Sequence, residues 1–590
     1  MSNWDLNSLY VSEDCKELKD DFVKTETLIK EFDNLSERLN DKGINETLLE
    51  IIALTNNFIE TTYKVGCYLS CRCMVDTTNN KLTSLMNQFE VICSKVSKAN
   101  ATIDKWVSEL DYDNIDFTNS VIKEHEYYLY EIKKNGRYLL NALVEDALSK
   151  MKINASSNWG SLQEYLTSIV EVDYNGDTIT LPMVRNLAYS SDSKVRKEAY
   201  EAEIKAYDKI KDPIAFALNS IKGEALTVSR LRGYNSVIEM TLNSSRLSKE
   251  TLDAMLTSME KALPYFRKYL KQKAKILGYK NGLPFYELFA PIGNSSKTFT
   301  IEQARDYLVD TFSQESEDIA NLIKRAFDEN WIDFLPKKGK IGGANCTNMP
   351  MIKESRILTN FEGSLSDVVT LAHELGHAYH GYCIEDNSII NTDYTMPVAE
   401  TASIFNETVI MNKVIRDSKS DDEKMMLLES SIQDSTQVIV DIMSRYIFES
   451  SVIENKDKEF MYADRLSELM IQAQDKTYGD GLDPNYKHQY MWVNKGHYYS
   501  AGLNFYNFPY AFGLLFAKGI YAQYQKLGKP FLTTYKELLH KTGVNSCEDA
   551  AKIANIDLTK TTFWDESLQV IIDQIDEFIE LSNKVYNVNN

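Results

Sequence analysis

Three of the chain's seven histidines, His373, His377 and His380, fall within eight residues, and Glu374 stands among them. His-Glu-x-x-His is a metal-ligand spacing: four residues advance a helix by about 400° and leave the two imidazoles roughly 40° apart on adjacent turns. His373 and His377 can therefore grip one ion. Glu374, on the same side, can act as a base toward water activated there without being a ligand.

A catalytic zinc takes three protein ligands and keeps a fourth position open. Pro397 suits a first helical turn, and Met396 to Glu407 reads as one helix that carries Glu400 and Glu407 on the same face, seven residues apart. A loop from Gly381 to Thr395 would turn that helix back onto the first. Glu400 is the expected third ligand, and Glu407 the carboxylate expected to orient a ligand imidazole from behind. His380, three residues past His377, is expected to lie behind the ligands as a hydrogen-bonded histidine.

These residues need a scaffold, and its periodicity is helical. Ile44, Leu48, Ile51 and Ile52, and again Leu252, Met255, Leu256 and Met259, recur at spacings of three and four. The run from Gly363 to Ala372 offers a capping serine and then apolar residues, which predicts a helix through His373 and His377, with Gly376 admitting a second backbone. Strand signals are confined to Tyr174–Leu181 and to the Gly-rich segment Gly339–Phe361, both read as hairpins. The expected fold is mainly α with a small sheet, residues 1–190 forming an N-terminal helical region packed against a larger region, 191–590.

With 590 residues the chain can bury large cores, and 43% hydrophobic and 26% charged residues are ordinary for a folded soluble protein. A net charge of −21 argues against general nucleic-acid binding. No apolar leader opens the sequence and no uninterrupted apolar stretch predicts a membrane span, so a cytoplasmic setting is expected. Eight cysteines are too sparse for a disulfide scaffold; Cys67, Cys71 and Cys73 read as packing thiols rather than a metal site.

His373-Glu-Leu-Gly-His377 followed by Val398-Ala-Glu-Thr-Ala-Ser403 resembles the thimet oligopeptidase and oligoendopeptidase F family of zinc metallopeptidases, most closely its bacterial oligoendopeptidase F branch. Gly342-Gly-Ala-Asn-Cys346, Ile357-Leu-Thr-Asn-Phe361, His497-Tyr-Tyr499 and Phe505-Tyr-Asn-Phe-Pro-Tyr-Ala-Phe-Gly513 resemble its substrate-side hairpin and its tyrosine-rich segment. The similarity runs from about residue 200 to near the C-terminus, and more faintly over 110–180, where the branch has an N-terminal helical domain.

That resemblance implies a two-lobed, zincin-like helical fold enclosing a deep channel. It also implies one Zn2+ on His373, His377 and Glu400, and short peptides as substrates. Residues matching His497 and Tyr510, with Tyr506 as a third member, would point at the carbonyl under attack; Asn507 and Phe508 stand where relatives often carry Val and Tyr. Apart from the resemblance, the Gly-rich hairpin with Gly342, Gly343 and Ala344 can add a strand to an extended peptide through main-chain hydrogen bonds. The leading expectation is an oligoendopeptidase with Glu374 as general base and acid. The alternatives are a zinc carboxypeptidase of the same fold and a peptide-binding protein of low turnover, and Mn2+ or Co2+ could occupy the same ligands.

Overall fold

The computed structural model describes residues 3–293 and 297–586. Helices dominate. Near the N-terminus, Lys16–Glu37, Ile44–Val75, Asn80–Ser94, Ser97–Glu109 and Glu126–Gly136 bury Phe32, Leu48, Ile51, Val107 and Leu129 in a core of their own. At its other end this bundle places Trp4, Tyr10, Tyr68 and Phe89 against Met349 and Leu358 of the sheet described below, so it docks on the region that holds the candidate site.

A second core joins Val172, Tyr207 and Ile214 to Phe448, Leu466, Trp492 and Tyr498, and is continuous across residue 190. The largest core gathers Lys249–Ile276, Leu365–Ile384, Thr401–Arg416, Phe508–Leu527 and Thr561–Tyr586. Lys249–Ile276 shows the rule these helices obey. The Ser248 hydroxyl caps its start by accepting from Thr251 N, and Leu252, Met255, Met259, Leu263, Phe266 and Leu270 all face inward. Between the second and largest cores, Lys222 is fully buried with its ammonium 2.6 Å from Glu449 and 3.0 Å from Asn504. Breaking such a pair on one side costs several kcal/mol, about 3–5, so it holds the two cores in register.

The strands are few. β1 (Glu171–Tyr174) and β2 (Asp177–Thr180) form the expected hairpin around Asn175-Gly176. β3 (Ile332–Asp333), β4 (Asn345–Met349) and β5 (Glu354–Leu358) make a three-stranded sheet in the order β3-β5-β4. β4 pairs antiparallel with β5, Asn345 opposite Leu358 and Met349 opposite Glu354, while β3 runs parallel to β5. β4 is thus an edge strand with its outer backbone groups unpaired within the sheet. It lies along Leu365–Ile384, where the Asn348 side-chain amide donates to the carbonyl of His377 at 3.1 Å.

Candidate active site

The helix Leu365–Ile384 begins in a capping box: Ser364 Oγ accepts from Asp367 N, and the Asp367 carboxylate accepts from Ser364 N at 2.9 Å. Leu371, Ala372, Leu375 and Ala378 anchor one side in the core, which leaves His373 and His377 half-buried on the other with ring centroids 5.0 Å apart. The helix continues to Ile384, so the expected loop from Gly381 begins one turn later, at Glu385; Cys383 and Ile384 are buried and extend the apolar face.

The segment after it also departs from expectation. Met396–Glu407 is not one helix: Met396–Ala399 and Thr401–Arg416 are separate, and Glu400 sits at the break with φ −85° and ψ 2°. A ψ near zero takes Glu400 out of the helical ladder. Its side chain is then pinned by the Ser403 hydroxyl, which donates to Glu400 Oε2 at 2.8 Å. The two helices cross where Gly376 lacks a side chain: a Cβ there would lie 2.4 Å from the carbonyl oxygen of Ala402. On the far side, a Cβ on Gly513 of the helix Phe508–Leu527 would lie 2.9 Å from Glu400 Cβ.

This packing brings Glu400 Oε2 to 3.2 Å from His373 Nε2 and 3.4 Å from His377 Nε2, with the three donor atoms all within 4.8 Å of one another. Bonds of about 2.0–2.1 Å to a tetrahedral zinc separate adjacent ligand atoms by about 3.3 Å, so the trio fits a four-coordinate ion with one position left. Burial alone would lower the His373 pKa, but the Glu400 and Glu407 carboxylates outweigh it and hold it up at about 10. Burial opposes ionisation of Glu400 as well, and the two imidazoles overcome it and hold that carboxyl well below its usual range. The spot favours positive charge. Among the described residues, these three form the grouping that could hold a metal. Cys67 and Cys71 instead have thiols pushed up to about 12 by burial, which suits packing.

Glu407 Oε2 lies 3.2 Å from His373 Nδ1. Accepting Nδ1–H fixes the ring orientation, so that Nε2, which faces Glu400 at 3.2 Å, is the nitrogen available to a metal once its proton is lost. Glu407→Ala should weaken zinc affinity about 10- to 100-fold, as measured by equilibrium competition with a chromophoric chelator. Affinity equal to the unsubstituted chain's would remove Glu407 from this role.

Glu374 is only 6% exposed, and burial raises its pKa against the opposing fields of His377 and His373. The Cys346 thiol of β4 is pushed up by burial and then by the Glu374 charge, so the field of that carboxylate reaches the edge strand. At the head of β4, Gly342 and Gly343 are exposed and Ala344 is half-buried, and the Asn360 amide donates to the carbonyls of Ile341 and Gly343 to hold their course. A cleft of about 420 Å3 separates β4 from Tyr63 and Ser70 of the helix Ile44–Val75.

The tyrosine-rich segment forms a second cluster. The Tyr506 and Tyr510 hydroxyls are 2.6 Å apart, and the His497 ring stacks 5.7 Å from that of Tyr506. Burial, then Tyr506, then the Glu400 charge raise the Tyr510 pKa, so its hydroxyl stays protonated within the field of the expected ligand. Burial followed by the charges of Arg445, Lys495 and Lys222 pushes His497 down to about 3, so the ring is neutral. Arg445 Nη1, which can only donate, lies 3.0 Å from Asn507 Oδ1, and this turns the Asn507 amide nitrogen to His497 Nε2 at 2.7 Å. Nε2 therefore accepts, and the His497 proton resides on Nδ1. Neither Arg445 nor its anchor Asp441 was anticipated; the one cue is an acid–base pair four residues apart in the apolar run Val438–Phe448.

His380 points away from the trio. It is fully buried, bonds Thr542 Oγ1 at 2.8 Å through Nε2, stacks 4.0 Å from Tyr394, and is pushed down to about 3 by burial and then by His377. Two cavities lie near the His497–Tyr506–Asn507 cluster, one reaching Tyr506 and the other reaching Arg445, the partner of Asn507. One, of about 1080 Å3, runs from Tyr506 and Met396 to Glu131 and Lys152; the other, of about 740 Å3, is lined by Arg445, Lys495 and Asp434.

A mainly helical, two-lobed chain with an HExxH helix crossed by a glutamate-bearing segment defines a zincin-like metallopeptidase. The chain belongs to peptidase family M3, whose model matches residues 186–570, and is a metalloendopeptidase. It is 24% identical over 598 residues to oligopeptidase PepF of Bacillus subtilis, covering 97% of this chain and 88% of that one. It is likewise 24% identical over 607 residues to group B oligopeptidase PepB of Streptococcus agalactiae, covering 99% and 97%. The crystal structure of oligoendopeptidase-F from Enterococcus faecium matches its fold with a TM-score of 0.72 at 19% identity, over 96% of this chain and 99% of that one. Among the described residues no helix is long and apolar enough to cross a membrane.

Proposed function

We propose that the chain is a zinc-dependent oligoendopeptidase that cuts internal bonds of short, unfolded peptides in the cytoplasm. The observation that carries this reading is that Glu400 Oε2 lies 3.2 Å from His373 Nε2 and 3.4 Å from His377 Nε2, separations that fit two edges of a zinc tetrahedron, with the buried Glu374 next to His373 in the chain. In this reading residues 191–590 form the catalytic region, and residues 1–190 wall the substrate path from the other side.

His373, His377 and Glu400 would hold the zinc, which when bound would supply Lewis acidity toward water and the scissile carbonyl. Glu374, its pKa raised by burial, takes a proton from the attacking water as the new C–O bond forms. It then delivers that proton to the amide nitrogen as the C–N bond breaks. His497 Nδ1–H and the Tyr510 hydroxyl, supported by Tyr506, donate to the oxyanion that develops on the carbonyl. The free edge of β4 with Gly342, Gly343 and Ala344 pairs with the peptide backbone, so length and extension matter more than side chains.

Hydrolysis of a quenched peptide with and without chelator, with the products mapped by mass spectrometry, tests the reading. Internal cuts that vanish with the metal and return with zinc support it. Single C-terminal residues would make the chain a carboxypeptidase, and tight peptide binding without turnover would make it a binding protein. Tyr510→Phe and His497→Ala should each lower kcat about 100-fold while KM changes little, because an oxyanion donor gains strength in the transition state. A pure KM effect would reassign both residues to substrate binding.

A further inference from the structure

The 740 Å3 cavity that Lys495 lines has an uneven charge pattern. Four fixed cations line it, Arg185, Arg196, Arg445 and Lys495, against two carboxylates, Glu203 and Asp434. Arg185 lies 3.2 Å from Glu203, Arg196 is paired with Glu287 and Arg445 with Asp441. No carboxylate stands within ion-pair distance of Lys495 among the described residues, and its ammonium has no hydrogen-bond acceptor there either. Polar capacity is left over on the same wall. Asn494 Oδ1 and the ring nitrogens of His488, a residue 1% exposed, have no hydrogen-bond partner, the nearest acid to His488 being Glu203 at 3.5 Å. A half-buried ammonium without a counter-ion is costly unless an anion is brought to it.

The position of Lys495 suggests which anion. It begins the same short turn, Gly496–Tyr499, that carries His497, and Tyr498 N bonds back to the Lys495 carbonyl at 3.1 Å. Arg445, on the cavity wall, bonds Asn507, which bonds His497. A ligand in this cavity is therefore one short turn from the group proposed to face the scissile carbonyl. Every short peptide carries one carboxylate at a fixed end.

We propose that Lys495 and the cavity around it form a subsite for the C-terminal carboxylate of the substrate, which sets how far from that end the chain is cut. The Lys495 ammonium takes the carboxylate as a charge-assisted hydrogen-bonded pair, stronger than a neutral contact. Burial and then the Arg445 charge, only partly offset by the more distant Asp441 and Glu203 carboxylates, hold the free ammonium down at about 8, and an arriving carboxylate in direct contact opposes that shift. This inference rests on the peptidase reading for its substrate class, though binding alone can test it.

The test compares two peptides of one sequence, one ending in a free carboxylate and one in a carboxamide, by calorimetric binding to zinc-loaded Glu374→Gln chain, which leaves the peptide intact. The acid should bind at least about tenfold more tightly, the ratio should fall to near one when Lys495→Gln is added, and Lys495→Arg should retain it. Equal binding of acid and amide to the chain with Lys495 in place overturns the proposal without recourse to any change at Lys495, so a misfolded variant cannot shield it. A ratio that survives Lys495→Gln overturns it too. An amidated peptide with a terminal Asp that binds as tightly as the acid would assign the subsite to side-chain carboxylates and overturn the C-terminal assignment. If acid and amide differ in binding while the unsubstituted enzyme cuts neither, the peptidase reading fails and the carboxylate subsite stands.

Discussion

Glu374→Gln should bind zinc as the unsubstituted chain does and hydrolyse peptides about 100- to 10,000-fold more slowly, the range that a positioned general acid–base contributes. The substitution leaves His373, His377, Glu400 and Glu407 untouched, and glutamine fills nearly the same buried volume beside β4. What it removes is a carboxylate whose pKa burial has already raised, and with it the proton shuttle between water and leaving amine. Metal content and rate should therefore part company. Zinc analysis and single-turnover hydrolysis on one preparation check this, and a zinc-loaded variant turning over at near the normal rate would take Glu374 out of the mechanism.

Glu400→Ala should weaken zinc binding by more than the 10- to 100-fold expected at Glu407, because it deletes one of three donors rather than the partner of one. Its oxygen lies between both imidazoles, 3.2 and 3.4 Å away, and no other carboxylate of the described residues closes the same triangle. Activity should be lost at ordinary zinc concentrations and return only in part under excess metal. Equilibrium zinc competition measures the change. Unaltered affinity would move the third ligand elsewhere, with Glu385, Asp386 and Glu407 next to substitute.

The histidine helix was legible because its signals are local: a capping serine, apolar residues at helical spacing, and a ligand pair four apart. The two hairpins were legible for the same reason, each built around its own turn. The break at Glu400 was not, because nothing in Met396–Glu407 disfavours a continuous helix. It arises from the backbone crossing at Gly376 and from the Ser403 hydroxyl, and neither contact exists until the helices meet. β3 escaped notice because two residues carry no periodicity. Arg445, Asn507 and His497 are joined by hydrogen bonds across more than 60 residues of sequence, a relation that only the packed cores create. The tyrosine cluster was reached through family resemblance, since tyrosines on an apolar helix otherwise read as packing.

The close approaches at Gly376 and Gly513 bear on how such a chain can change over generations. Written as a motif, the histidine helix has two free letters between its ligands, yet one of them is occupied: a methyl group at 376 would stand 2.4 Å from a carbonyl oxygen, and one at 513 would stand 2.9 Å from the side chain of Glu400. Neither position offers a side chain to the site, and both are fixed by subtraction, by what must be missing for three backbones to converge on one carboxylate. Drift can rewrite the outward faces of these helices residue by residue, but it reaches 376 or 513 only by moving a whole helix, and with it the ligands. Heritable variation in what the enzyme cuts is thereby channelled away from the metal and into the cavity walls, where single substitutions are affordable.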